Sequence, residues 1–476
     1  MRRSGRKEKL RILLAPNEDG FGTSAWAVRL AKALLRRAGA DLGRLIVAVS
    51  SRRLGGFLEN ALAGCAGIEV FLLEGVSHRF ELVKNRGGVD IARSLTRTAL
   101  SYPASAAEVR SALERGGFLR GLDLVVDFGV PQVLGALRAG ARSDSGRRPA
   151  AAGTGIRAVT VFDHMWSRTL EEFVRSARLP GSRWKKVSAC LLGIRKDESS
   201  AWEVFLLPDP VSPPWVGRAW ETLLGRPAQV LDGFPGGPLW TLEFAGDPAA
   251  RDLWQIVAAE APCPEQARSK ARAHARRLLG IEDDAPILYV SGGGTGVWDE
   301  LLAGLMDAYL KEPPCYSVVV YAPKEARRRK VEMGWHGNVL RSQWRPGQRI
   351  VFLDRVRGET HHVLFPGLDL ALTRAGGGTV ADCLACGVPM VLVEEPGMWQ
   401  VEQIRLRCRE LGLARTVSLD AFRALPRACV ESRKGRLADL KPERERILGL
   451  ANHGEIRLAE ALLDSLTCPD RCISVT

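Results

Sequence analysis

No stretch of eighteen or more apolar residues runs through this chain, which excludes an ordinary membrane-spanning helix. No G-K-[ST] stands at the spacing of a phosphate-binding P-loop, which removes the NTPase classes built on that loop. A regular cysteine framework is also missing, since the ten cysteines scatter between Cys65 and Cys472. In a chain of this size that pattern predicts reduced thiols and a cytoplasmic protein. Cys383 and Cys386 form a C-x-x-C inside a helical pattern, with no second pair nearby to complete a zinc tetrahedron; they read as small buried side chains. Histidine is scarce, at 7 residues, and the adjoining His361 and His362 have no carboxylate at ligand spacing, so no metal site is expected. Aromatic-interleaved basic stretches and zinc-finger spacings are absent, which argues against nucleic acid as a partner. Fixed-period repeats and long low-complexity tracts are absent as well.

What remains is a chain of 476 residues, 46% hydrophobic and 26% charged, the profile of a globular protein with two domains. The formal charge is +14, with Lys and Arg numbering 68. Runs such as Arg36-Arg37 and Arg327-Arg328-Arg329-Lys330 read first as solvated faces. The phosphates of a nucleotide, or the headgroups of a membrane surface touched peripherally on its cytoplasmic side, are the alternative partners. The basic start, Met1 to Lys7, is followed by an apolar run of only Ile12 to Ala15, shorter than a signal core. It reads as a tail entering the first strand.

Short, nearly continuous apolar runs alternate with helical stretches, the pattern of parallel strands covered on both faces. In the first half the strands are Arg11–Ala15, Leu45–Ser50, Ile68–Leu73, Leu122–Asp127 and Ala158–Phe162. Ala25, Val28, Leu30, Ala31, Leu34 and Leu35 make the apolar stripe of a helix between the first two. A Gly/Pro-rich stretch at Asp232–Leu239 and an Ala/Arg-rich helix ending at Gly280 interrupt the alternation. It restarts with strands at Ile287–Ser291, Ser317–Ala322, Ile350–Leu353, Leu368–Thr373 and Pro389–Val393, and a helix at Val297–Leu310. The expected fold class is α/β, with two doubly wound Rossmann-like domains facing a cleft. The first spans 1–245, a linker 246–284, the second 285–442. An amphipathic helical segment and tail, 443–476, crosses back to the first domain.

Three glycine-rich loops follow strands, where open α/β sheets bind ligands and where a helix N-terminus offers unpaired N–H groups to a phosphate. The first is Asn17–Ser24, with Gly20 and Gly22. The second is Ser291–Gly296, with Gly292, Gly293, Gly294 and Thr295. The third is Thr373–Thr379, with Arg374 as a phosphate partner, Gly376, Gly377 and Gly378 in the turn, and Asp382 one turn into the next helix as a ribose acceptor. Tight strand-to-helix turns also use glycine for steric reasons alone. Gly20-Phe-Gly22-Thr-Ser-Ala25 fits G-x-G-x-x-A, but the next strand ends in Ser50-Ser51-Arg52 with no acid for a ribose, which counts against a dehydrogenase.

The stretch Asp369–Val393, with Thr-Arg-Ala-Gly-Gly-Gly-Thr at its centre and Cys386-Gly-Val-Pro389 after it, resembles the donor-binding signature of GT-B glycosyltransferases. It is most similar to the N-acetylglucosaminyltransferase of the undecaprenyl-linked peptidoglycan precursor and to related UDP-glycosyltransferases. Ala275–Gly293 and Trp399–Gln403 resemble neighbouring segments of the same family. The resemblance implies a nucleotide-sugar donor, with UDP as the usual nucleotide, held by the second domain without a metal or other cofactor. The first domain would hold the acceptor, whether lipid-linked, carbohydrate or small molecule, and transfer would invert the anomeric centre. Carried over by residue, Gly292, Gly293, Gly294, Gly376 and Gly377 sit at the diphosphate. Asp382 stands where the family has Glu for the ribose, and Gln400 and Gln403 are both candidates for the donor sugar.

One departure bears on mechanism. Relatives carry Gly-x-Gly-His in the first loop; here Thr23 takes the place of that histidine. An inverting transfer needs a base for the acceptor hydroxyl's proton. Asp19 is the leading substitute, Glu18 a second, and His164 beside Asp163 at a strand end a third. An aspartate next to glycine is also an ordinary turn former, and His164 and Trp166 are also ordinary cleft or packing residues. Two other functions share the architecture: a sugar-nucleotide 2-epimerase, and a nucleotide-sugar-binding protein without turnover.

Overall fold

The computed structural model describes residues 9–16, 21–76, 83–85, 88–119, 121–128, 157–163, 202–207, 229–230, 269, 272–273, 275–277, 279, 281, 284–292, 298–312, 314–321, 333–336, 339–342, 350–353, 364–395, 399–448 and 454–467. Compact packing divides the chain into two units. One comprises 1–83, 89–235 and 453–476; the other comprises 84–88 and 236–452. The division falls inside the Gly/Pro-rich stretch Asp232–Leu239.

In the first unit the strands are β1 (Leu10–Pro16), β2 (Leu42–Val49) and β3 (Ile68–Leu72), with helices α1 (Phe21–Ala38) and α2 (Arg52–Ala61) between them. In chain order a short pair, β4 (Lys84–Asn85) and β5 (Gly88–Val89), of which 84–88 count with the second unit, precedes α3 (Ile91–Arg115). Then follow β6 (Leu124–Phe128), β7 (Arg157–Asp163), β8 (Trp202–Leu207) and β9 (Gln229–Val230). The sheet order is β3-β2-β1-β6-β7-β8-β9, and all its pairs are parallel. Both faces are buried because the strands carry apolar residues at successive positions. Leu13, Ala15, Ile46, Ala48 and Val125 pack with Val109 and Leu113 of α3, while Ile12, Leu14, Leu45, Val47, Leu124 and Val126, on the other face, are also fully buried. Two capping side chains start helices here: Ser51 accepts from Leu54 N–H, and Asp90 from Arg93 N–H.

The second unit contains β10 (Ile287–Ser291), α4 (Asp299–Lys311), β11 (Ser317–Tyr321), β12 (Met333–His336), β13 (Val339–Ser342), β14 (Ile350–Leu353) and β15 (Leu370–Arg374). These lead to α5 (Gly377–Ala385), β16 (Met390–Val393), α6 (Trp399–Glu410), β17 (Ala414–Val417), α7 (Leu419–Ala424) and α8 (Lys441–Leu448). Its sheet runs β12-β13-β14-β11-β10-β15-β16-β17, parallel from β14 to β17, with β12 and β13 an antiparallel hairpin on one edge. Leu288, Val290, Val318, Val320, Leu370, Leu372, Val391 and Val393 form one face and cluster with Trp298, Leu302, Leu305, Met306 and Tyr309 at and within α4. The intervening residues form the other face, where Tyr289 packs on Phe365 at 5.1 Å between ring centroids.

The strands expected at Ile287–Ser291 and Ile350–Leu353 form with those bounds, and the other expected strands form with ends shifted by a few residues. β8, β9, the β12–β13 hairpin and β17 were not expected. The closing segment, read as helical from Glu443 through Leu466, forms two helices instead. α8 packs near α5 in the second unit, whereas α9 (Gly454–Thr467) belongs to the first unit, lies against α1 and pairs Glu460 with Arg37 at 2.5 Å. In the sequence Asn452 and His453 stand just before Gly454, the first residue of α9, a turn-prone combination. Among the described residues, no helix is long and apolar enough to cross a membrane.

Candidate functional site

Both sheets carry the doubly wound order in which strands grow outward on two sides of a first strand. In such a sheet the crevice lies beyond the carboxyl ends of the two strands where the order reverses. In the second unit these strands are β10 and β15. They pair in register, Ser291 opposite Thr373, so both chains leave the sheet at one level. The Thr373 hydroxyl donates to the Ser291 carbonyl at 2.8 Å and also lies 3.1 Å from the Arg374 carbonyl. The two glycine runs read from the sequence therefore start side by side, at the reversal of strand order.

The third loop is short. Ala375 is buried, Gly376 is the N-cap of α5 at φ −73° and ψ 131°, and α5 begins at Gly377. A glycine cap has no side chain to accept from first-turn amides, and Gly376, Gly377, Gly378 and Thr379 are all partly exposed. The first backbone bond is donated by Val380 to the Gly376 carbonyl at 3.0 Å. This end of α5 thus presents backbone N–H groups and roughly half a positive charge toward the crevice end of the sheet. Asp382 is half-buried on the next turn. It lies close enough to the buried Tyr289 ring to reinforce the effect of burial, which pushes that phenol well above its usual range against a hydrogen bond with Ser291.

Gly292, the first glycine of the second loop, is buried under Trp298. A Cβ placed on it would stand 2.4 Å from the Trp298 Cβ, so packing alone requires glycine at this position. Trp298 is itself 1% exposed and stacks at 5.4 Å on Phe422. Gly293, Gly294 and Thr295 lie outside the described residues. So do Glu18, Asp19, Gly20, His164, Trp166, His361 and His362. Gly22 and Thr23 fall within the first turn of α1, directly after the loop that follows β1; the side chain of Thr23 is not described. Gln400 and Gln403 sit one turn apart at the start of α6, their side chains likewise outside the described set.

Arg374, expected from the sequence as a phosphate partner, is 5% exposed, and its Nε lies 2.7 Å from Oε2 of Glu395, a residue 1% exposed just beyond β16. The approach is off the N–H axis, an ionic contact and not an aligned hydrogen bond. Burial draws the Arg374 guanidinium below its ordinary range, with the Glu395 charge opposing. Burial likewise pushes the Glu395 carboxyl up, with Arg374 opposing and Glu402 adding to the rise. The pair continues into α6. The Glu395 N–H donates to Glu402 Oε1 at 2.6 Å, and Arg405 donates to Glu402 Oε2 from Nε at 3.0 Å and Nη2 at 2.8 Å. Sequence reasoning missed Glu395, Glu402 and Arg405. The available signal was two adjacent acids directly after a strand, followed by an acid and a base three apart on a helix.

No family model matches the sequence, and no curated protein does. Solved structures do match the fold. The calicheamicin glycosyltransferase CalG4 aligns with a TM-score of 0.56 and 18% identity, over 97% of this chain and 100% of that one. Arabidopsis thaliana UGT89C1, solved with quercetin, gives 0.55 and 13%, over 96% and 100%. The glycosyltransferase VinC, solved with DTDP, gives 0.51 and 14%, over 95% and 100%. At these identities the likeness is one of fold: the two Rossmann-like α/β units of the GT-B architecture.

Replacing Gly292 with alanine tests the packing account. Overpacking against Trp298 should lower unfolding stability by about 1–3 kcal/mol. Denaturant melts of the variant and the parent read it directly.

Proposed function

We propose that this chain is a glycosyltransferase that binds a nucleotide sugar at the strand-order reversal of its second unit. The observation that carries the reading is the partly exposed, glycine-capped N-terminus of α5 beside the end of β10. An anion is stabilised at such a terminus by amide donors and by the helix dipole. The GT-B fold supports transfer chemistry, and the VinC complex with DTDP supports a nucleoside diphosphate as the anion.

In this reading the amides of Gly377, Gly378 and Thr379 hold the diphosphate, with Gly376, whose own N–H goes to the Arg374 carbonyl at 2.8 Å, leaving room for it as a cap without a side chain. Gly292, Gly293, Gly294 and Thr295 are assigned to the same diphosphate by the family resemblance. Asp382 takes the ribose hydroxyls. Being one methylene shorter than the glutamate of the family it resembles, it needs a close backbone. Gln400 and Gln403, at the start of α6, are the partners of the donor sugar. The nucleotide is UDP and the group transferred is a hexosyl or N-acetylhexosaminyl unit, readings that rest on the resemblance of Asp369–Val393 to the peptidoglycan-precursor enzyme. That resemblance supports a lipid-linked acceptor met at a membrane surface, whereas the quercetin bound to UGT89C1 supports a small-molecule hydroxyl compound.

The chemistry is an inverting displacement without a metal. The acceptor oxygen attacks the anomeric carbon as its bond to the diphosphate breaks, and the nucleoside diphosphate leaves with the electron pair. Asp19 takes the acceptor proton, with His164 oriented by Asp163 as the other candidate base. Thr23, standing where relatives have histidine, favours a second reading: a protein that binds the donor and does not turn it over.

A thermal-shift screen of UDP, TDP and their sugars tests the assignment. A nucleotide that binds the native state at a hundred times its Kd should add about 2.7 kcal/mol of stability. No shift with any nucleotide sugar at millimolar concentration removes the proposal. Asp382→Ala should weaken nucleotide affinity about tenfold by calorimetry; unchanged affinity takes Asp382 out of the site. Asp19→Asn should cut turnover by about 100-fold or more while donor affinity holds, as loss of a general base does. Full activity in that variant moves the base elsewhere, and binding without turnover in the parent chain selects the second reading.

A further inference from the structure

Two arginines and three glutamates form one continuous cluster at the crevice end of the second sheet, and most of it is buried. Arg374 closes β15, two residues before the cap of α5. Its partner Glu395 follows β16 and donates its own N–H to Glu402 in the first turn of α6. Glu402 is gripped through two donors by Arg405, whose side chain is 7% exposed and whose Nη2 also lies 3.5 Å from Glu394. Glu394 is in turn anchored by its N–H to the Val417 carbonyl on β17, at 3.0 Å.

Stability does not account for this cluster. Desolvating a charge pair costs several kcal/mol per ion, and apolar residues of the same volume usually serve a core as well or better. At the Arg374–Glu395 contact the return is incomplete, because neither Glu395 oxygen receives an aligned hydrogen bond. What the cluster does achieve is geometric. It joins Arg374, two residues before the glycine cap of α5, to the helical turn of α6 bracketed by Gln400 and Gln403. An apolar contact would hold these elements together without fixing their register; ionic and hydrogen-bonded contacts at set distances fix both.

We infer that Glu395 and Glu402 are positioning residues: they set the first turn of α6 against the N-terminus of α5, and so set the sugar of a nucleotide-sugar donor against its diphosphate. This rests on the donor reading above. It predicts a division of labour, in which the nucleoside diphosphate is read by α5 and the added sugar is read through the cluster.

Calorimetry on the full-length chain tests it, with UDP and UDP-N-acetylglucosamine as probes, or TDP and TDP-glucose if the screen selects thymidine. Glu395→Gln keeps shape and removes charge, and Glu402→Gln does the same one link further along. Each should leave affinity for the bare diphosphate within about twofold and weaken affinity for the nucleotide sugar about tenfold or more. Amide exchange should quicken in 399–405 and stay unchanged in 377–385. Using two variants keeps the test open if one fails to fold. Equal losses for diphosphate and nucleotide sugar, or no loss for either, overturn the positioning role and leave the donor reading standing. A parent chain that binds neither probe pair overturns the donor reading, and this inference with it.

Discussion

Where the order of strands in a parallel sheet reverses, the helices that follow two neighbouring strands must depart to opposite faces, because each crossover keeps the same hand. The second unit obeys this at β10 and β15. Trp298 and α4 cover the face of Leu288 and Val290, while α5 brings Asp382 and Cys383 toward Tyr289 on the other. The ends of both strands are thereby left between diverging helices, with no further strand to cover them. The Gly376 N–H turns back to the Arg374 carbonyl at 2.8 Å, and the first-turn amides of α5 need acceptors from outside the secondary structure. Glycine enters both loops for reasons tied to that constraint. At Gly292 it lets Trp298 close over the strand end, and at Gly376 it leaves the helix terminus uncovered. The Thr373 hydroxyl, bonded to the Ser291 carbonyl, holds the two ends level.

The central strands were legible in the sequence because both of their faces are buried, so each appears as a nearly continuous apolar run. β10, β11, β14, β15 and β16 are of this kind, and so are β1 and β2. β8, Trp-Glu-Val-Phe-Leu-Leu, carries that signal and was overlooked all the same, whereas β17 and the β12–β13 hairpin lack it. β17, Ala-Arg-Thr-Val, is polar at two of its four positions, and its burial is partial beyond Ala414. The β12–β13 hairpin, from Met333 to Ser342, sits at a sheet edge with a histidine and an arginine among its residues. The split between α8 and α9 leaves little trace in helical periodicity, because α8 is a short polar helix that fully buries only Ile447 and so has no apolar stripe whose end could be read. Only Asn452-His453-Gly454 marks the change of unit.

The candidate site was legible in its backbone and not in its charges. Glycine runs after strands identify loops, since they report on local geometry that the neighbouring sequence also specifies. A lone arginine after a strand carries no such local record of its partner. Arg374 reads as a phosphate ligand from the loop it enters, and only the adjacency of β15 and β16 brings Glu395 against it. Side chains at the ends of adjacent parallel strands become neighbours through a crossover, so their pairing is a long-range fact in the sequence even when it is a short one in space. The same holds for Asp369, whose carboxylate accepts from Ile287 N–H at 2.9 Å and lies 3.3 Å from Arg272.

A second polar cluster in the same unit shows why charge at the crevice end calls for its own explanation. At the opposite, N-terminal end of the sheet, the Tyr316 hydroxyl donates to Glu431 at 2.9 Å and lies 3.3 Å from that of Tyr309. Arg427 adds a bond to Glu431 at 3.0 Å. There the deeply buried members are neutral phenols, which burial moves still further from ionising, while Glu431 and Arg427 keep 12% and 24% exposure and Arg427 also reaches the exposed Glu312 at 3.1 Å. That is the inexpensive way to tie α4 to the strand it precedes and to the segment around residue 431, because neutral donors lose little on leaving water. At the crevice end the same chain instead buries a full ion pair to 6% and 1% exposure. A protein that can lock its core with phenols has no structural need for that pair. The elements the pair holds in register, the cap of α5 and the first turn of α6, are the two that the proposed nucleotide-sugar donor would touch at once.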